Sequence, residues 1–304
     1  MNIAIMTEKK RAIALGFFDG LHIGHAAVMK RTLEIADEKN LLPSVITFDT
    51  HPQCFVNNRH IALINSHKDR AGMIERLFGI DDMIFLHIDA ETVNMPWDIF
   101  IDHLIEEFGA HHLIAGYDFR FGAGGKGDSR LLGIKCGESA IGCDIVPEVR
   151  YDGTASSSSY IRTLLLDGDI ERANAFLGHP HVLTDTVRYG YKLGRTLGTP
   201  TINMCFEPGV LIPAHGVYAT KVFPHCGSEF IGVTNIGTRP TFGNSDFATA
   251  ETHILNFRQN LYGHKVRIEF HKHLRPEIKF DDLSELKTQI KKDCETAAQH
   301  FGSY

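Results

Sequence analysis

The sequence predicts an α/β protein of two parts: a doubly wound parallel sheet over residues 1–179, then a small antiparallel β-barrel with a C-terminal helix over residues 180–304. Three observations predict it. Apolar runs of strand length alternate with helical patterns through the first half, the signature of a parallel sheet covered on both faces. Past the segment GHPHV, residues 178–182, six strand-like runs follow one another with turns and no helices between them. An amphipathic helix, opening on an aspartate, then closes the chain.

Taken in order, RAIALG is the first strand, and HAAVMKRTLEIADEKN repeats apolar residues at helical spacing. PSVITF is rich in β-branched residues and bounded by Pro43, hence a strand. HKDRAGMIERLFG is a helix with Gly79 as its C-cap, DMIFLHI a strand, and WDIFIDHLIEEFG a helix ending at Gly109. HHLIAG is a strand, DSRLLGIKCGESAIG a helix and CDIVPEV a strand. The barrel strands are HVLTDTVRYG, TPTINMCF, GVYATKVFP, EFIGVTNIG, AETHILNF and HKVRIEFHKHLR, and the final helix is DDLSELKTQIKKDCETAAQHF.

The 304 residues are 43% hydrophobic and 22% charged, the balance of a soluble globular protein. The net charge of -6 argues against a nucleic-acid partner. No apolar run reaches the roughly 18–20 residues of a membrane helix. The start, MNIAIMTEKK, is too short and too soon charged to act as a signal peptide. The six cysteines are scattered with no CxxC pair, as expected for reduced thiols in a cytoplasmic protein.

In an open parallel sheet, ligands bind beyond the carboxyl ends of the strands. LGFFDGLHIGH, TFDTHP and AGYDFRFGAGGKGD each follow a strand and so share that edge. In the first, His22 and His25 stand three apart at a strand-to-helix turn, on one helix face. Gly16, Gly20 and Gly24 permit a tight turn and close approach to a ligand. A helix start favours anions, and imidazole donors there suit phosphoryl or nucleotidyl transfer. A purely structural pair of histidines is the ordinary alternative. Zinc is a second one, although the spacing is not HExxH and no cysteine cluster supplies further ligands. The glycine-rich loop carries Phe119, Phe121, Asp118 and Arg120, suited to a flat ring with a polar tail. SSSSYIRTLL leads hydroxyls into a helix with Arg162 one turn in, an anion site or a plain N-cap.

These segments, in this order, resemble a known family. GFFDGLHIGH resembles the HxGH signature of nucleotidyltransferases, and SSSYIR its second signature, ISSTxIR. With TFDTHP and GYDFRFG the resemblance narrows to the prokaryotic bifunctional riboflavin kinase/FAD synthetase (FMN adenylyltransferase) family. GRTLGTPTINM is similar to that family's GRxLGFPTANI, GVTNIGTRPTFG to GVANIGTRPTF, and ETHILNF through LRPEIKF to its C-terminal motifs.

The resemblance implies an N-terminal domain that transfers AMP from ATP to FMN, releasing pyrophosphate. His22, His25 and Arg162 would be its catalytic residues, and Gly16, Phe17, Asp19, Gly20, Gly24 and Ser158, with Arg162, would hold ATP. Asp49, His51, Gly116, Asp118, Phe119 and Phe121 would contact the flavin. It implies a C-terminal domain that phosphorylates riboflavin, with Glu251 as the base. There Gly198, Thr201 and Asn203 would bind ATP, Thr201 and Asn203 also Mg²⁺, and Arg239 and Arg275 the flavin. The implied partners are small molecules only: ATP, FMN and riboflavin, with no nucleic acid and no membrane.

The chain also departs from the family pattern. Asp185 replaces a glycine and Thr199 a phenylalanine, Ile202 replaces an alanine, Gly125 an arginine beside Lys126, and Thr50 a proline. A carboxylate at 185 near a phosphate loop would oppose ATP, and Ile202 would narrow its pocket. Three functions are therefore weighed: a bifunctional enzyme, an FAD synthetase with a weak kinase half, and a flavin-binding sensor without turnover.

Overall fold

The computed structural model describes residues 9–50, 61–190, 198–224, 228–239 and 247–302. The chain groups into two compact units. One comprises residues 1–62 and 70–157, and the other residues 63–69 and 158–304.

The first unit is built on five parallel strands: β1 (Arg11–Leu15), β2 (Leu42–Phe48), β3 (Asp82–Leu86), β4 (Ala110–Gly116) and β5 (Gly142–Val146). Their order is β3-β2-β1-β4-β5, so the chain reverses direction across the sheet between β1 and β4. That makes the β1/β4 edge the switch point at which doubly wound sheets bind ligands. The strands are connected by α1 (Ile23–Lys39), α2 (His67–Phe78), the short α3 (Ala90–Asn94), α4 (Trp97–Phe108) and α5 (Ser129–Glu138). A two-strand hairpin, β6 (Arg150–Tyr151) with β7 (Thr154–Ala155), follows β5. Gly79 and Gly109, with φ of 69° and 63°, close α2 and α4 as left-handed residues, as their place in the sequence predicts.

β1 is buried along its whole length, which explains its unbroken apolar run. Its first residue, Arg11, is tolerated inside because Nε donates to Asp82 at 2.7 Å and Nη1 to the Phe108 carbonyl at 2.9 Å.

The second unit opens with α6 (Ser158–Asp167) and α7 (Ile170–Leu177). Six antiparallel strands follow: β8 (His181–Thr186), β9 (Thr201–Cys205), β10 (Gly216–Phe223), β11 (Phe230–Arg239), β12 (Phe247–Ile254) and β13 (Lys265–Arg275). They run in the order β8-β13-β10-β11-β12-β9. The sheet curls until, among the described residues, Arg188 just past β8 bridges Asn203 of β9. Inside the curl the hydroxyls of Thr220, Thr234 and Thr252 form a buried ladder at 2.9 Å steps. The C-terminal helix α8 (Leu283–His300) is capped by Asp282, which accepts from the N–H groups of Ser284 and Glu285. It packs on the other face through Val217, Val233 and Ala297.

Candidate functional site

In the first unit the site begins where β1 ends. Two residues past Gly16, the ring of Phe18 lies 2.7 Å from where a Cβ on Gly16 would stand, so a side chain there would have to displace that ring. Phe18, Gly20 and Leu21 all take positive φ, making a sharp turn in which Asp19 is buried. The turn delivers His22 as the N-cap of α1. Its Nδ1 accepts from the N–H groups of Gly24 at 3.1 Å and His25 at 3.4 Å. That occupancy places the ring proton on Nε2, at a helix start. The rings of His22 and His25 stack 3.6 Å apart, inclined by 20°. Burial, then His22, then Arg70 pushes the His25 pKa well below the ordinary histidine value, so at neutral pH this imidazole is uncharged.

The other strand ends on this edge hold the remaining candidates. Asp49, just past β2, accepts from the Ile88 N–H at 3.1 Å and binds His87 Nδ1 at 2.5 Å. Burial alone would raise the Asp49 carboxyl, but these bonds hold it below its usual range, and the same pair raises His87. His51 lies outside the described residues. Past β4, Phe119 N–H closes a turn onto the Gly116 carbonyl, and Asp118 is exposed at its tip. Phe119 stacks on Phe121 at 5.4 Å. Phe121, expected from sequence to contact the flavin, sits in the core at 5% exposure, against Phe100 and over Gly127. Its ring anchors the glycine-rich loop. Lys126, beside the missing arginine, is exposed on that loop.

Ser158 and Arg162 open α6 in the second unit, at i and i+4 and hence on one helix face.

In the curled sheet, strand register assembles a row of polar side chains. Asn203 is paired with Glu251, Glu251 with Asn235, Asn235 with Val217, and Val217 with Arg275. Directly paired residues point to the same face, so Asn203, Glu251, Asn235 and Arg275 share one. Thr201 and His253 are paired in the next row on that face. A cavity of about 260 Å³ opens there, lined by Thr201, Glu251, Asn235, Ile278 and Phe280 among others. A second cavity, of about 190 Å³, is lined by Thr201, Ile202, Thr252, Phe257, Asn260 and Tyr262. Thr201 belongs to both. Gly198, just before β9, takes a left-handed φ of 80°.

Two expectations for this half change. Arg275 grips Asp293 of α8 with Nε and Nη2 at 2.8–3.1 Å, so its guanidinium fastens the helix over the cavity that it also lines. Asp185 does not stand free before the phosphate segment. One carboxylate oxygen accepts from the Cys205 N–H at 2.9 Å and the other faces Arg188 at 3.5 Å. Ile202 lines the smaller cavity. Arg239 pairs through its backbone with Phe247 at the end of β11.

Sequence reasoning missed Asn235, His253, His87 and Arg70. Asn235 stands inside the GVTNIG motif, but only strand register shows that it neighbours Glu251.

A doubly wound sheet with a stacked histidine pair at its switch-point edge, followed by a curled sheet whose Asn–Glu row borders a cavity, defines a two-unit architecture for nucleotides and their acceptors. Comparison with known proteins names it. The FAD synthetase family model matches residues 4–160 and the riboflavin kinase model residues 177–301. The bifunctional riboflavin kinase/FMN adenylyltransferase of Bacillus subtilis strain 168 is 35% identical, over 97% of this chain and 94% of that protein. The Escherichia coli K12 protein of the same name is 33% identical over 99% and 96%. A Streptococcus pneumoniae protein, its crystal structure described as that of a macrolide-efflux protein, superposes with a TM-score of 0.85 at 26% identity, covering 97% of this chain and 96% of that one. The chain belongs to the bifunctional riboflavin kinase/FMN adenylyltransferase family. Among its described residues no helix is long and apolar enough to cross a membrane.

Proposed function

We propose that this chain makes FMN from riboflavin and ATP, and FAD from FMN and ATP. The observation that supports the reading best is that both family models match in order, one largely on each compact unit. We assign residues 1–179 to adenylyl transfer and 180–304 to the kinase.

In adenylyl transfer a phosphate oxygen of FMN attacks the α-phosphorus of ATP. A new P–O–P bond forms, the α–β bridge breaks, and pyrophosphate leaves. The FMN phosphate is already nucleophilic, so the protein supplies position and electrostatics rather than a base. The Nε2–H of His22 donates to ATP phosphate oxygens at the α1 start, and neutral His25 stacks behind it. Gly16, Phe17, Asp19, Gly20 and Gly24 shape the approach. Asp49, Gly116, Asp118 and Phe119 face the flavin. Ser158 and Arg162 enter as triphosphate ligands through the SSSYIR signature.

In the kinase half the 5′-hydroxyl of riboflavin attacks the γ-phosphorus, Glu251 takes its proton, and ADP leaves. The larger cavity, with Val217, Val233 and Phe280, suits the flavin ring, and the smaller, with Gln259 and Asn260, suits the nucleoside. Thr201, shared by both, marks where the phosphoryl group crosses. Mg²⁺ bound with ATP would be held by Thr201 and Asn203 and would neutralise phosphate charge. The donor set fits a hard ion that keeps its own water and phosphate ligands: the neutral oxygens of Thr201 and Asn203 stand beside one carboxylate, and the described residues hold no cluster of three ionisable ligands.

The enzyme works on small molecules, in the cytoplasm, with Cys136, Cys143, Cys205 and Cys294 as free thiols. Incubation with Mg²⁺-ATP and either riboflavin or FMN, followed by chromatography of the flavins, tests the proposal. FMN and FAD from riboflavin support it. FAD from FMN alone leaves only the synthetase, and no product leaves a flavin-binding sensor.

A further inference from the structure

Arg70, on α2, is a guanidinium sealed inside the first unit at 1% exposure. Its two terminal nitrogens reach two different strand ends. Nη1 donates to the Phe17 carbonyl at 2.6 Å and Nη2 to the Phe48 carbonyl at 2.8 Å. Thr47 Oγ1 donates to the same Phe17 carbonyl at 2.9 Å. The guanidinium carbon sits 4.5 Å from the ring centre of Phe17 and 5.5 Å from that of Phe85 on β3. One side chain thus joins the carboxyl ends of β1 and β2 and rests on β3. Its Nε is buried without a partner. Burying a guanidinium this way costs more than an apolar side chain of similar volume would. Burial lowers its pKa only to about 10 against the pull of Asp19 and Asp49, so the charge persists at neutral pH.

We propose that Arg70 is a positioning residue for adenylyl transfer: its fork locks the Phe17–Phe18 turn that aims the His22–His25 pair, and its buried charge is a fixed part of the field at that pair. This rests on assigning the pair to adenylyl transfer. The fork acts on geometry. Phe18 stands in a left-handed conformation and packs edge-on against His25 at 5.3 Å, so a shift at Phe17 carries straight to the imidazoles. The charge acts on protonation. The charged or titratable groups around His25 are His22 on its own turn and Arg70 from α2, with Asp19 and Asp49 behind Arg70. The fixed positive charge of Arg70 opposes a proton on His25.

Two substitutions separate these actions. Arg70→Lys keeps the charge but cannot bridge two carbonyls. Arg70→Gln keeps an amide donor but removes the charge. FAD formation from FMN is followed from about pH 5 to about pH 9 in wild type, both variants and His25→Ala. Thermal melting and riboflavin phosphorylation report folding. Arg70→Lys is expected to lower kcat at least ~10-fold with the acid limb of kcat unmoved. Arg70→Gln is expected to move that limb upward, toward the ordinary histidine value of about 6.5. Loss of folding alone would lower rates without moving the limb, and if one variant melts early the other carries its own half of the test. Arg70→Lys with kcat within about twofold of wild type, or Arg70→Gln with an unmoved limb, overturns the proposal. A wild type that makes no FAD, or a His25→Ala variant that makes it at full rate, overturns instead the adenylyl-transfer reading beneath it.

Discussion

The carboxylate of Asp185 accepts a hydrogen bond from the backbone N–H of Cys205 at 2.9 Å. Asp185 stands on β8 and Cys205 on β9, the two edge strands of the curled sheet. A bridge between Arg188 and Asn203 joins the same edges. The side chain therefore substitutes for a ladder carbonyl where the curl closes. Asp185→Gly removes that acceptor and loosens a strand, at a cost of roughly 1–3 kcal/mol. Asp185→Asn keeps an acceptor oxygen and is expected to melt near wild type, with a KM for ATP within about twofold. If the charge opposed ATP as the sequence alone suggests, Asp185→Asn would lower that KM about tenfold. Kinase kinetics and melting of the two variants decide between these roles.

His22 has two functions that one substitution pair can part. Its Nδ1 caps α1, and its Nε2–H is the donor proposed for the ATP phosphates. Asparagine is a good N-cap but lacks that donor. His22→Asn is expected to hold its melting temperature and lose FAD synthesis at least ~100-fold, the scale of one transition-state donor. His22→Ala is expected to lose the same activity and about 1 kcal/mol besides. Riboflavin phosphorylation should be unchanged in both. Near-normal FAD synthesis in His22→Asn would rule out the donor role.

Much of this was legible in the sequence because the signals are local. Strand and helix alternation, the capping glycines 79 and 109, and Asp282 at the last helix each follow from backbone chemistry within a few residues. The HxGH turn was legible for the same reason. What was hidden depends on distant chain. Arg70 sits in a charged helical pattern that looks solvated, and only the fold brings Phe17, Phe48 and Phe85 around it. Phe121 looked like a ring-binding aromatic because its loop is glycine-rich, yet Phe100 and Gly127 enclose it. Leu63 gave no local hint that it would exchange backbone bonds with Gly209 and Leu211. The partner of Asp185 was equally invisible, being set by how the sheet closes.

Glu251 is expected to be indispensable to one reaction and irrelevant to the other. Its register neighbours are Asn203 and Asn235, neutral amides with no basic role, and it lines the larger cavity beside Thr201. Glu251→Gln keeps the shape and removes the base. FMN formation from riboflavin should fall by ~100-fold or more, while FMN-to-FAD conversion stays at the wild-type rate. Unchanged phosphorylation would show that the hydroxyl proton goes elsewhere.

His181 sets a pH dependence of folding. It lies on β8 paired with Phe270, is 1% exposed, and both ring nitrogens are buried without partners. Burial, with His179 adding to it, lowers its pKa to about 3. In the unfolded chain the same imidazole takes a proton near about 6.5. Between the two values the unfolded state holds the extra proton. The stability linked to His181 is therefore complete above about pH 6.5 and is lost as pH falls toward 3, by at most about 1.4 kcal/mol per pH unit. His181→Leu keeps an apolar side chain against Phe270 and cannot be protonated. Its stability should fall less steeply with acid than wild type, by about one proton in the slope. At neutral pH, where His181 is uncharged, riboflavin phosphorylation should be unaffected, since the side chain faces neither cavity lining. Denaturant melts of both proteins at several pH values between about 4 and about 7 measure the slopes directly. Equal slopes would mean that His181 is protonated in the folded protein as readily as in the unfolded chain, and that burial does not hold it neutral.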